Sequence, residues 1–289
     1  NIFMSNSQNQ NQVLNEWDDT DILSTNVLRG IYAYGFEKPS PIQKKGIIPM
    51  ITKVGERRPD IIAQAQSGTG KTGCFSVGVL NIVNPDIKKT QAIILAPTHE
   101  LANQIKSVIT NIGAYCNITT QLLVGGTSVD DDKKLLDNET PHIVVGTPGR
   151  IHDMIRRKFL KTEHMEVIVL DEADEMLSHG FKDQMYKIFQ YMPNNIQIAL
   201  FSATMPPELE SLTKAFMENP VKILVKTDML TLQGIAQWFI SVENDEQKYL
   251  TLKDLFSGIS ISQAIIYCNS TRRVDDLHEA MISEDFPVK

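Results

Sequence analysis

The chain has 289 residues, 42% hydrophobic and 22% charged, with a net charge of −7. That composition suits a globular α/β protein of roughly two domains, and no apolar run reaches the ~18 residues a membrane helix needs. Cys74, Cys116 and Cys268 match no metal or redox spacing, no HExxH pair is present, and the acidic balance argues against a strongly basic nucleic-acid surface.

Ser5 to Gln12 contains only Ser, Asn and Gln, so residues 1–20 are expected to be a disordered tail. From there the pattern turns globular. Ser24 is placed to cap a helix reaching about Tyr34, with Val27, Leu28 and Ile31 on one face. In the string Gly35 to Gln43, Pro41 suits the first turn of a second helix capped by Ser40, with Gln43 just inside it.

The stretch Ile61 to Thr72, IIAQAQSGTGKT, is an apolar strand, a glycine-rich turn and a helix start. Backbone N–H groups of Ser67, Gly68, Thr69 and Gly70 can wrap a polyphosphate. Lys71 can then reach its terminal phosphates and the Thr72 hydroxyl can ligate Mg²⁺, at the positive end of the following helix. Ala65 stands where the generic pattern has glycine, so the match is to a relaxed form. An ordinary strand-to-helix turn is the alternative, and downstream partners decide between them.

Further strands are predicted at Ala92–Ala96, Gln121–Val124, Ile143–Val145, Val167–Leu170, Gln197–Phe201 and Val221–Val225. Most are short, apolar throughout and separated by amphipathic helical segments. That alternation predicts a doubly wound parallel sheet with helices on both faces, over residues 21–226. Residues 227–235 read as a linker. Residues 236–289 read as the start of a second α/β domain: a strand at Ala236–Val242, a helix at Glu246–Phe256, a strand at Gln263–Cys268 and a helix at Arg272–Ile282.

The strand Val167–Leu170 runs into Asp171-Glu172-Ala173-Asp174. A carboxylate at a strand's carboxyl end is how such folds hold Mg²⁺ near bound phosphates, and Glu172 is placed to orient or deprotonate an attacking water. Acids in a helix's first turn also satisfy its dipole, which is the competing explanation.

Together the strings GFEKPSPIQ (35–43), QAQSGTGKT (64–72), APTHELA (96–102), GG (125–126), TPGR (147–150), DEADEML (171–177) and SAT (202–204) resemble the DEAD-box ATP-dependent RNA helicases. The similarity runs from about Asp18 to the last residues and is nearest the translation initiation factor 4A group. It implies a RecA-like fold, ATP and Mg²⁺ as cofactors, and RNA bound without sequence preference. It implies that Gln43 reads the adenine edge, that Phe36 packs on the base, and that Thr72 and Asp171 serve the metal. It implies that Asp174, Ser202 and Thr204 couple nucleotide state to RNA. The RNA face would comprise Pro97, Thr98, His99, Gly125, Gly126, Thr147, Pro148, Gly149 and Arg150.

The implied reaction is ATP hydrolysis coupled to local RNA duplex opening by a monomer, with no membrane association. The implied setting is translation initiation in the cytoplasm, with initiation-factor partners. An ATP-gated RNA clamp with little turnover, a nuclear RNA-processing relative with its own partners, needs the same motifs and stays open here. The family usually has Arg where this chain has His99, which exchanges a permanent charge for one that titrates near pH ~6.5. The second domain's later motifs, including an arginine finger, do not follow Tyr267-Cys268-Asn269. Because such fingers contribute ~10³–10⁵ in rate, this chain alone is expected to bind nucleotide and turn it over very slowly.

Overall fold

The computed structural model describes residues 13–19, 22–224, 236, 238–259 and 262–288. They fall into two compact units, Asn1–Gln233 and Gly234–Lys289. The predicted tail, apart from residues 13–19, and the predicted linker lie outside the described residues. Among the described residues no helix is long and apolar enough to cross a membrane.

The first unit opens with α1 (Thr25–Ala33) and α2 (Pro41–Ile51), then β1 (Ile61–Gln64) and α3 (Lys71–Ile82). Next come β2 (Ala92–Leu95), α4 (His99–Ile112), β3 (Thr120–Leu123) and α5 (Val129–Asn138). The chain continues through β4 (Ile143–Gly146), α6 (Pro148–Arg156), β5 (Val167–Asp171), α7 (Ala173–Ser178) and α8 (Lys182–Gln190). It closes with β6 (Gln197–Ser202), α9 (Pro207–Phe216) and β7 (Val221–Leu224).

All seven strands pair in parallel, in the order β3-β4-β2-β5-β6-β1-β7. The central strands are buried at every position because both faces are covered, which is why they read as unbroken apolar runs. Their side chains alternate between two cores. Ile94 and Val169 pack with α1 to α4, while Ile93 and Leu170 pack with α6 to α9. Leu14 and Trp17, on the segment preceding α1, are fully buried in the first core, and the Leu14 N–H donates to the Lys44 carbonyl. Truncating such a side chain costs about 2–5 kcal/mol.

The caps follow the sequence. Ser24 Oγ accepts from the Val27 N–H at 3.3 Å, and at the start of α2 Gln43 Oε1 reaches back to accept the Ser40 N–H at 2.8 Å.

The second unit contains α10 (Asp245–Gly258) and α11 (Thr271–Ser283). The two predicted helices are there, but the strands predicted at Ala236–Val242 and Gln263–Cys268 do not form among the described residues. A strand exists by exchanging N–H···O bonds with a neighbour, and the described residues of these segments find none among the described residues of the unit.

Candidate active site and nucleic-acid interface

In a parallel sheet the carboxyl ends of all strands share one edge, and every predicted motif except the 35–43 string, which lies between α1 and α2, emerges there. The loop after β1 is tied to the end of β6 by the Ala65 N–H donating to the Ser202 carbonyl at 3.0 Å. Gly68 (φ +80°) and Gly70 (φ +94°) take the left-handed conformation that only glycine adopts without strain. The Thr69 hydroxyl closes the turn on the Gln66 carbonyl at 2.7 Å. A side chain at Gly70 would also collide with Ser40 Oγ at 2.6 Å and Gln43 Nε2 at 2.9 Å.

Across this loop stand the carboxylates of β5. Ser67 Oγ donates to Glu172 Oε1 at 2.8 Å, and Lys71 Nζ lies 3.5 Å from the same oxygen. Lys71 is only 5% exposed, so its ammonium is largely desolvated and its reach is short. Glu172 itself sits at φ +51°, a left-handed conformation for a residue with a Cβ, which aims its carboxylate back at the loop. Asp171 is buried one residue earlier, with Oδ1 accepting the Glu172 N–H at 3.1 Å. Burial pushes the Asp171 carboxyl up to about 7 against the opposing Lys71 ammonium, and the Glu172 carboxylate adds to the push. A divalent cation would relieve that unfavourable charge. Among the described residues no three His, Cys, Asp or Glu side chains cluster to hold one alone. The donor set therefore fits a hard cation that keeps waters and takes phosphate oxygens as further ligands. Thr72 offers a hydroxyl from the first turn of α3.

Gln43 and Phe36 meet at that same turn. A Cβ on Gly73 would lie 2.5 Å from Gln43 Nε2 and 3.0 Å from Phe36 Cε2. Gln43 Oε1 accepts the Ser40 N–H at 2.8 Å and Nε2 donates to the Gly70 carbonyl at 3.1 Å, so the amide is fixed in orientation. Phe36 is held from behind by Trp17, stacked at 6.2 Å, and edge-on by Tyr34 at 4.9 Å.

Asp174, Ser202 and Thr204 form one network between α7 and the end of β6. Asp174 Oδ2 accepts from the Thr204 N–H at 2.9 Å and the Thr204 hydroxyl at 2.7 Å. Ser202 Oγ accepts the Asp174 N–H at 3.3 Å and donates to the Thr204 carbonyl at 2.7 Å. Desolvation opposes charge on Asp174, but the hydrogen bonds from Ser202 and Thr204 prevail and hold its carboxyl below the usual range.

The predicted RNA-face residues surround a cleft of about 340 Å³ at the other end of the carboxyl edge, past β2. Pro97, His99, Gly125, Thr147, Gly149 and Arg150 line it. Thr98 caps α4 from just behind, its Oγ1 accepting the Leu101 N–H at 3.2 Å. Gly126 turns at φ +77° beside His99, which is exposed, and Pro148 is the buried first residue of α6.

Arg150 is a special case: its guanidinium is engaged by Asp132 and Thr127. Sequence reasoning missed four contributors. Asp153 and Phe181 complete the cleft, Asp132 holds Arg150, and Trp17 backs Phe36. For Phe181 the signal was an aromatic directly after Gly180, just past DEADEML. For Trp17 it was a lone tryptophan in an otherwise polar segment.

Comparison with known proteins fits this arrangement. Residues 40–212 match the DEAD/DEAH box helicase family. The ATP-dependent RNA helicase eIF4A of Neurospora crassa is 52% identical over 280 residues, which is 97% of this chain and 69% of that protein. Its namesake in Aspergillus oryzae is 49% identical, covering 99% and 67%. Among solved structures, S. cerevisiae Dbp5 bound to RNA and ADP BeF3 superposes with a TM-score of 0.79 at 33% identity, over 91% of this chain and 65% of that one. A DEAD box protein from the hyperthermophile Methanococcus jannaschii gives 0.70 at 33%, over 94% and 71%. With a phosphate loop facing a strand-end Asp-Glu pair, the motifs in order along one sheet edge, and half-identical relatives over nearly its whole length, the chain belongs to the DEAD/DEAH box helicase family.

Proposed function

We propose that the chain binds ATP with Mg²⁺ at the loop after β1, binds RNA in the cleft between the β3 and β4 ends, and couples hydrolysis to local RNA duplex opening. The observation that carries this is the meeting of Ser67 and Lys71 with Glu172 at 2.8 and 3.5 Å across a hundred residues of sequence. Gln43 and Phe36 select the adenine base. Asp171 and Thr72 would hold Mg²⁺, which would neutralise charge on the phosphate oxygens. Lys71 stabilises negative charge on the terminal phosphoryl group, and Glu172, released from Ser67 when nucleotide enters, orients the hydrolytic water and accepts its proton. The Asp174–Ser202–Thr204 network carries the change to the cleft.

RNA is read through its sugar-phosphate backbone, by the free amides at the starts of α4 and α6 and the glycine turn, hence without sequence preference. The name of the fungal relatives and the RNA in the Dbp5 structure support this reading. On this reading the protein acts as a monomer in translation initiation, in the cytoplasm, with initiation-factor partners, and the fungal relatives' name supports the translation setting.

The test is an equilibrium titration of a labelled single-stranded RNA with and without a non-hydrolysable ATP analogue and Mg²⁺. Nucleotide is expected to tighten RNA binding, and Lys71→Ala to abolish that tightening. RNA affinity indifferent to both nucleotide and Lys71 would overturn the proposal.

A further inference from the structure

Three aspartates, Asp130, Asp131 and Asp132, open α5, and a helix dipole explains the first two, which are exposed. It does not explain the third. The Asp132 side chain is 7% exposed and its partner Arg150 is 8% exposed, so the pair is almost fully desolvated. Such a pair gains little net stability, whereas removing one member leaves a buried charge without compensation.

The geometry indicates what the pair holds. Besides Asp132 Oδ2, Arg150 Nη1 donates to the Thr127 hydroxyl at 2.9 Å, and Nη2 donates to the Thr127 carbonyl at 2.8 Å. The Thr127 hydroxyl in turn donates to the Val124 carbonyl at 2.9 Å. Gly125 and Gly126 lie between those two anchors, and Arg150 lies in the first turn of α6 beside Thr147 and Gly149. One guanidinium therefore fastens the glycine turn to the start of α6, the two backbone elements that line the cleft.

We infer that Asp132 is a positioning residue for RNA binding: it locks Arg150 onto Thr127 and so sets the spacing between the Gly125–Gly126 turn and the amino end of α6. Arg150 then acts as a brace for the cleft and contributes no charge to a phosphate. The inference rests on the RNA reading of the cleft.

The test measures RNA affinity of the full chain, using a labelled oligoadenylate with a non-hydrolysable ATP analogue, over a series of salt concentrations. Nucleotide affinity and thermal midpoint are read separately. Asp132→Asn is expected to weaken RNA binding about tenfold, with nucleotide affinity within about twofold of the parent and the salt slope unchanged. Asp132→Glu, which keeps the charge, is expected to recover most of the loss. The double variant Asp132→Leu with Arg150→Met removes both buried charges while preserving the fold, and is expected to bind RNA as poorly as Asp132→Asn.

Three results would overturn the inference. One is full RNA affinity in the folded double variant, and another is tighter RNA binding by Asp132→Asn. The third is a salt slope shallower by about 0.7 in the double variant, the mark of a lost phosphate contact. If the parent chain itself binds no RNA, the cleft reading fails instead, and the two failures are distinct.

Discussion

The two ends of the sheet's carboxyl edge treat charge in opposite ways. At the loop after β1, Asp171 is buried with its carboxyl pushed up to about 7, and Glu172 is held in a left-handed conformation against Ser67 and Lys71. Those groups are poised for a ligand that brings its own charge. At the cleft, the buried Arg150 is paired with Asp132 and Thr127, and Pro97, Gly125, Thr147 and Gly149 share the lining with His99, Asp153 and Phe181. The first arrangement suits a reaction in which charge moves. The second suits a polymer gripped by shape. One fold supports both because a parallel sheet delivers six loops to the same edge, each free to specialise.

The contrast can be broken most severely at the nucleotide end. Glu172→Gln keeps the shape and removes the base, so ATP turnover should fall about 10²–10⁴-fold while nucleotide remains bound. Loss of nucleotide affinity, measured by titration with a fluorescent ATP analogue, would deny Glu172 its role with water.

A smaller effect is expected at the junction of the two ends. Thr204→Ala removes a hydroxyl at 2.7 Å from a charged partner, an interaction worth about 1.5–3 kcal/mol. RNA binding should lose about tenfold of its nucleotide dependence, with binding of each ligand alone little changed.

At the cleft, His99→Arg adds a permanent charge beside the Gly125 turn. RNA affinity should rise a few-fold and the salt slope steepen by about 0.7, since arginine there would meet a phosphate. An unchanged slope would place residue 99 off the RNA path.

The smallest effect lies at the opposite edge of the sheet and serves as a control. His142 Nδ1 accepts the Thr119 N–H at 3.0 Å, leaving Nε2 to donate to the Pro85 carbonyl at 3.1 Å. Burial lowers its pKa, so the unfolded chain takes up a proton before the folded one does. Stability from this residue is present above about pH 6.5 and is lost as pH falls through the folded value. The thermal midpoint of the chain should drop on acidification, and less so in His142→Asn. Nucleotide affinity should not follow the difference between the two proteins.

How much of this was legible beforehand depended on whether a residue's reason lay in its own neighbourhood. The seven strands were found to within about a residue, and for the central ones the reason is that burial on both faces forces continuous apolar runs. Ser24 declared a helix start through a local hydrogen bond, and Pro41 through its fixed φ. Gly68 and Gly70 declared a turn through backbone freedom. Asp132 could not be recognised, because beside Asp130 and Asp131 it looks like any acid at a helix start, and its partner is 18 residues away. Arg150 was visible as part of a motif, but its consumption by that partner was not. The strands predicted in the second unit failed for a related reason: an apolar run states a willingness to pair and is silent on whether a partner is present.

Trp17 carries a practical consequence. The chain has two tryptophans, and they report from opposite environments: Trp17 is fully enclosed and stacked on Phe36, while Trp238 is 90% exposed. In a Trp238→Phe protein, intrinsic fluorescence would come from a single indole behind the proposed base-stacking ring. ATP arrival could then be followed in real time, by emission intensity, without any attached dye.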